Sequence, residues 1–155
     1  MKASQCKEVR KIKMNGSCLC DSIKFEIKVD TLRMYQCHCE QCRKQTGTAS
    51  SCGSVVTEDK FAWVCGEENI KKWEKASGFT SHFCSNCGSS VPNKFRGQPF
   101  YWVPVGLVES EKVETVANIF ICEKPSWSNV SSQNNSYETK PDIESMVKLL
   151  CEQSA

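Results

Sequence analysis

No stretch of this 155-residue chain approaches the roughly 18 consecutive apolar residues that a membrane-spanning helix requires. The opening "MKASQCKEVRKIKMNGSCLC" also lacks the apolar core of a secretory leader. An excess of one charge is missing too, with 20 Lys and Arg against 18 Asp and Glu and a net charge of +2. A near-neutral chain has no broad basic face with which to neutralise phosphates, so no nucleic-acid partner is expected, and no membrane. The local basic excess of Lys2, Lys7, Arg10, Lys11 and Lys13 reads as a solvated tail over residues 1–11. These absences leave one domain, long enough to bury a core without disulfides and expected in reducing cytoplasm.

Against that background, twelve cysteines are the anomaly. In a reducing compartment thiols persist as thiols, and clustered ones point to metal. Seven fall in three groups, "GSCLC" (Cys18, Cys20), "CHCEQC" (Cys37, Cys39, Cys42) and "FCSNCG" (Cys84, Cys87). In an extended segment residues i and i+2 face the same side, so each Cys-x-Cys can offer two sulfurs to one ion. Two pairs complete a tetrahedron of thiolates, the closed arrangement of a structural zinc site. The most economical pairing joins Cys18 and Cys20 to Cys84 and Cys87. Cys37, Cys39 and Cys42 then stand alone, one ligand short, which is the form of a reactive site with an exchangeable corner. His38 is the tempting fourth ligand, but alternation turns it away if Cys37 and Cys39 face the ion. Cys52, ten residues beyond the triplet, could also approach it. Cys65 and Cys122 lie in apolar strand candidates and read as buried, inert thiols.

Strand signals dominate the rest. In "IKFEIKV" (23–29) Ile23, Phe25, Ile27 and Val29 alternate with Lys24, Glu26 and Lys28. "TASSCGSVV", "KFAWVCG", "IKKWEKA", "FTSHFC", "PFYWVPVGLV" and "VANIFIC" are further candidates, separated by turn-forming residues. The fold class expected is mainly β and antiparallel, closed by one helix over "PDIESMVKLLC". There Ile143, Met146, Val147 and Leu150 fall at helical spacing, and Pro141 and Asp142 suit the first turn. The polar "SNVSSQNNSYETK" reads as a mobile loop. The domain expected over 12–128 therefore carries a loop-and-helix extension over 129–155. Trp63, Trp73, Trp102 and Trp127 read as packing residues, with Phe100, Tyr101 and Trp102 best placed to wall a pocket.

"GSCLCDSIKFEI", "CHCEQCRKQTG" and "FCSNCGSSV", in that order and spacing, resemble the glutathione-dependent formaldehyde-activating enzyme (CENP-V/GFA) family. "VANIFICEKPSW" resembles its closing strand and Lys-x-x-Trp turn, so the likeness runs over about residues 12–128. The resemblance implies the β-tent fold, a structural zinc on Cys18, Cys20, Cys84 and Cys87, and a catalytic zinc on Cys37, Cys39 and Cys42. The activity it implies is addition of glutathione to formaldehyde, a carbon–sulfur lyase reaction. Asn118 and Ser81 stand where family members often carry His and Arg.

The residues agree with that chemistry. A zinc held by three thiolates is a weak water activator but a good host for a fourth, soft thiolate, which it would deprotonate for attack on an aldehyde. Arg43 and Lys44, directly after the triplet, could hold a substrate carboxylate. Thr46 and Gly47 read as a turn closing the metal loop. The competing class is a non-catalytic zinc-binding interaction module on the same fold. Nothing in the residues sets the oligomeric state.

Overall fold

The computed structural model describes residues 13–95, 97–130 and 135–151. Residues 1–11 of the expected basic tail, with Cys6, lie outside them. The elements in chain order are β1 (Lys13–Ser17), β2 (Lys24–Lys28), β3 (Leu32–Cys37), α1 (Glu40–Thr46), β4 (Ser51–Thr57), β5 (Phe61–Cys65), β6 (Ile70–Glu74) and β7 (Thr80–Cys84). They continue with β8 (Asn93–Lys94), β9 (Phe100–Pro104), β10 (Val108–Glu109), β11 (Val113–Ile119), β12 (Asn135–Ser136) and α2 (Ile143–Cys151).

The alternation in β2 does what its pattern dictates: Phe25 and Ile27 are buried while Lys24 and Lys28 face water. β2 lies inside a four-stranded sheet ordered β10-β1-β2-β5, and a six-stranded sheet runs β12-β11-β3-β4-β9-β8. β6 and β7 form a separate hairpin. The core gathers residues of both larger sheets, with Met14, Phe25, Ile27 and Phe61 meeting Leu32, Val56 and Val103. Each such side chain contributes about 2 kcal/mol of transfer free energy. Phe61 stacks on Tyr101 at 4.1 Å and takes the edge of Trp63 at 4.9 Å, so Trp63 is a packing residue.

Every strand expected from the sequence is present, most with shorter bounds, while β4 runs on to Thr57 and β11 begins earlier, at Val113. The pairing is antiparallel except at β11, which runs parallel to both β3 and β12. β1, β3 and α1 carry too little amphipathic pattern to have been read. Residues 131–134 of the polar stretch lie outside the described residues, but Asn135–Ser136 pair as β12. Trp73 and Trp127 are exposed, not packed, and so are Cys65 and Cys122. Cys65 ends β5 beyond its buried half, and Cys122 sits in a single 3-10 turn after β11 has stopped.

In α2 the Asp142 carboxylate caps the first turn by accepting from Ser145 N–H at 2.8 Å. Leu150 is buried, whereas Ile143, expected on the apolar stripe, is exposed because the helix docks only by its later turns. Cys151 Sγ donates to the Val55 carbonyl at 3.2 Å and Arg33 to the Leu149 carbonyl at 3.4 Å, which fastens α2 on β3 and β4. Among the described residues no helix is long and apolar enough to cross a membrane.

Candidate metal centres

Cys18 and Cys20 lie in the turn after β1, and Cys84 and Cys87 in the turn that ends β7. Their four sulfurs converge within 4.8 Å of one another. Cys18 Sγ is 3.6 Å from Cys20 Sγ, which is 3.8 Å from Cys84 Sγ. Zinc–sulfur bonds of 2.3 Å give a tetrahedron with an edge of about 3.8 Å, so the sulfurs already stand at the separation such an ion needs. Gly88 makes the second turn possible. Its φ of 79° is the left-handed region, and its N–H donates back to the Cys84 carbonyl at 2.9 Å. Ser22 and Ser89 hydroxyls lie at 3.0 Å from Cys20 Sγ and 3.3 Å from Cys87 Sγ. Ser22 holds the exposed Cys20 thiol down at about 5, ready to serve as a thiolate.

The second group is built differently. β3 ends at Cys37, the backbone stays extended through Cys39, and Cys39 is the N-cap of α1, its sulfur accepting from Cys42 N–H at 3.4 Å. Strand end, cap and first helical turn thus aim three sulfurs at one point, all within 4.8 Å. The Cys42 thiol donates to Cys37, which raises Cys42 well above the ordinary thiol range and lowers Cys37 to about 6. Burial keeps Cys39 protonated as well. Without a cation, then, the trio carries one thiolate readily and resists a second. A divalent, thiophilic ion removes that conflict, so both donor sets fit zinc.

His38 is not in this group. Its Nε2–H donates to Asn118 Oδ1 at 3.0 Å and its backbone N–H to the Ile119 carbonyl at 3.0 Å, so it ties the metal loop to β11. Cys52 faces elsewhere, packed against the core. Arg43 is committed to backbone, donating to the His38 carbonyl at 3.2 Å and the Glu123 carbonyl at 3.4 Å. Lys44 pairs with Glu40 at 2.7 Å on the exposed side of α1. Gly47 closes α1 in the left-handed region with φ 67°, and Thr46 donates to the Cys42 carbonyl at 2.8 Å.

Cys42 opens onto a cleft of about 510 Å³. Tyr35 and Trp102 form part of its floor, while Gln45, Lys72, His82 and Lys94 supply polar groups. Neither Arg43 nor Lys44 is in its lining. Of the cleft residues, sequence reasoning reached only Cys42 and Trp102. The alternation of β3 held the signal for Tyr35, two residues before Cys37 and therefore on the same face. Lys72 and His82 were out of reach, because the β6–β7 hairpin joins this cleft only through tertiary packing.

A family profile described as glutathione-dependent formaldehyde-activating enzyme matches residues 13–123. The chain belongs to that family. A curated Schizosaccharomyces pombe protein described as an uncharacterized lyase is 24% identical over 135 residues, covering 86% of this chain and 96% of that protein. The crystal structure of a Rhodobacter sphaeroides protein superposes with a TM-score of 0.51 at 21% identity, over 66% of this chain and all (100%) of that one, and shares the fold. In this member of the family the two departures noted above both flank the triplet. Asn118 accepts from His38, and Ser81 accepts from Gln45 of α1 at 3.0 Å.

Proposed function

We propose that the protein is a zinc-dependent carbon–sulfur lyase that adds a thiol such as glutathione to formaldehyde or another small aldehyde. What carries this reading is the incomplete three-sulfur cluster whose third member, Cys42, lines an open cleft. The four-sulfur cluster serves as the structural zinc site, giving two ions per chain. Zinc held by Cys37, Cys39 and Cys42 would supply a soft, Lewis-acidic open position that favours the thiolate form of an incoming thiol. The chain does the rest. β3, the Cys39 cap and α1 fix the three sulfurs, His38 and Arg43 lock the loop to β11 and to Glu123, and the cleft admits the aldehyde beside Cys42. Lys72 and Lys94 are the cations that line that cleft, each paired with a carboxylate (Glu74 at 2.7 Å and Glu58 at 2.6 Å) that a substrate carboxylate would have to displace. Thiols must stay reduced for this work, which reducing cytoplasm provides.

Metal analysis and exchange NMR test the proposal together. Purified protein is expected to hold two zinc equivalents and to speed exchange between free thiol and its hemithioacetal when formaldehyde is added to glutathione. Two equivalents with no acceleration by any thiol–aldehyde pair would overturn the enzymatic reading in favour of a binding module.

A further inference from the structure

The Tyr35 hydroxyl is oriented by a neighbour that leaves it no choice of role. An indole N–H can only donate, and Trp102 Nε1 donates to Tyr35 Oη at 2.9 Å. The phenol oxygen is thereby an acceptor from one side, and its own proton finds no acceptor among the described residues. Tyr35 and Trp102 both line the cleft onto which Cys42 opens. The donor therefore belongs to a residue of the same cleft that a substrate beside Cys42 would enter.

The chain makes room for this pair at one position. Tyr35 pairs with Gly53 in the β3–β4 register, and the neighbouring β9 brings Trp102 opposite Val55. A Cβ on Gly53 would stand 2.6 Å from Trp102 Nε1 and 2.9 Å from Tyr35 Oη, closer than side-chain atoms tolerate. Glycine in the middle of a central strand costs stability and contributes no packing of its own. Here its absent side chain is what lets the indole and the phenol meet above β4.

We propose that Tyr35 is a catalytic residue whose hydroxyl donates a hydrogen bond to the aldehyde oxygen as the carbon–sulfur bond forms. This rests on the thiol-addition reading above. In the step, the substrate sulfur bonds to the carbonyl carbon and the carbonyl π pair moves onto oxygen. The thiol's own proton ends on that oxygen, so nothing is oxidised or reduced. Negative charge grows on the oxygen during attack, and a donor already fixed by Trp102 strengthens its bond at that moment without reorganising. Tyr35 keeps its proton throughout, acting as a donor and not as an acid.

Calorimetric titration of zinc-loaded protein with thioacetate and with ethanethiol separates this role from packing. Thioacetate carries sulfur and oxygen on one carbon, as the adduct does, and ethanethiol lacks the oxygen. Tyr35→Phe is expected to weaken thioacetate about tenfold with ethanethiol and zinc content unchanged. In turnover it should lower kcat about a hundredfold at an unchanged KM for the thiol. Trp102→Phe, which leaves the phenol but frees it to rotate, should show smaller losses of the same sign. Thioacetate affinity that is equal in wild type and Tyr35→Phe, or an unchanged kcat, overturns the role of Tyr35 while ethanethiol binding upholds the thiol site. Failure of the wild type to bind either sulfur ligand overturns both proposals.

Discussion

The two cysteine clusters use one kind of donor and are assembled in opposite ways. The four-sulfur cluster draws Cys20 and Cys84 together across 64 positions of sequence, and around it Ile23 and Val91 are wholly buried. The three-sulfur cluster is confined to residues 37–42 and sits where a strand hands over to a short helix with no buried residue. Closing a long loop restricts the unfolded chain far more than closing a short one, so an ion in the first cluster stabilises the fold itself. An ion in the second has little folding work to do. It lies beside a cleft, and its protein ligands leave a corner unfilled. On the proposed reading, sulfur count alone would not separate a structural from a working site; the span of chain each closes would.

Breaking the long-range cluster should give the largest effect. Cys84→Ser removes a sulfur that is 1% exposed and held in an apolar setting, and the expected loss is on the order of 5 kcal/mol or more. Thermal unfolding with and without chelator measures it, and a near-native transition would dissolve the contrast between the clusters. Cys39→Ser should do the reverse. Serine is a favoured N-cap, so its oxygen can take over the bond from Cys42 N–H and hold α1 to within about 1 kcal/mol. One metal equivalent should nevertheless be lost, and thiol–aldehyde condensation should fall at least about a hundredfold. If Cys39→Ser melted as early as Cys84→Ser, the triplet would be a structural site after all.

How much of this was legible depends on the range of the signal. The three tight cysteine groups and the turning away of His38 follow from spacing within a few residues, the joining of the two pairs across 64 positions came from ligand arithmetic, and alternation carried β2 and most other strands. α1 escaped because its seven residues, "EQCRKQT", bury no face and so show no helical pattern. Cys65 and Cys122 were misjudged because apolar neighbours along the chain do not reveal which side of a strand end meets water. Arg43 and Lys44 are candidates for a substrate carboxylate by adjacency alone, and in the structure Arg43 donates to two backbone carbonyls while Lys44 pairs with Glu40. The cations in the cleft come from β6 and β8, whose place beside Cys42 is set by sheet packing that no local pattern encodes.

A milder perturbation tests whether the open cluster depends on the shape of its cleft. Gly53→Ala forces a Cβ against Trp102 and Tyr35 and should cost about 1–3 kcal/mol as those rings shift. Both zinc equivalents should remain, because neither cluster contains a residue of β4. Condensation activity should drop while the melting temperature falls by roughly 2–12 °C, at about 2–4 °C per kcal/mol for a domain of this size. Activity retained in full would separate the cleft floor from the chemistry and leave the triplet working alone.

The smallest expected effect lies at α2, which packs beyond the segment matched by the family. Asp142 is held below the usual carboxylate range first by Ser145 N–H and then by the Ser145 hydroxyl at 3.0 Å. Because its folded pKa is the lower one, the unfolded chain binds the proton more readily. The capping contribution is therefore complete above the ordinary carboxylate pKa near 4 and fades as pH falls through the folded value. Amide exchange in α2 should quicken in wild type on acidification across that window, and an Asp142→Asn variant, which caps without a charge, should show a flatter response. At neutral pH neither variant should lose zinc, since α2 touches β3 and β4 through Leu149 and Cys151 and neither cluster directly. Loss of the three-sulfur metal on loosening α2 would show that β3 transmits strain to Cys37, and the two clusters would then differ in their support as well as in their closure.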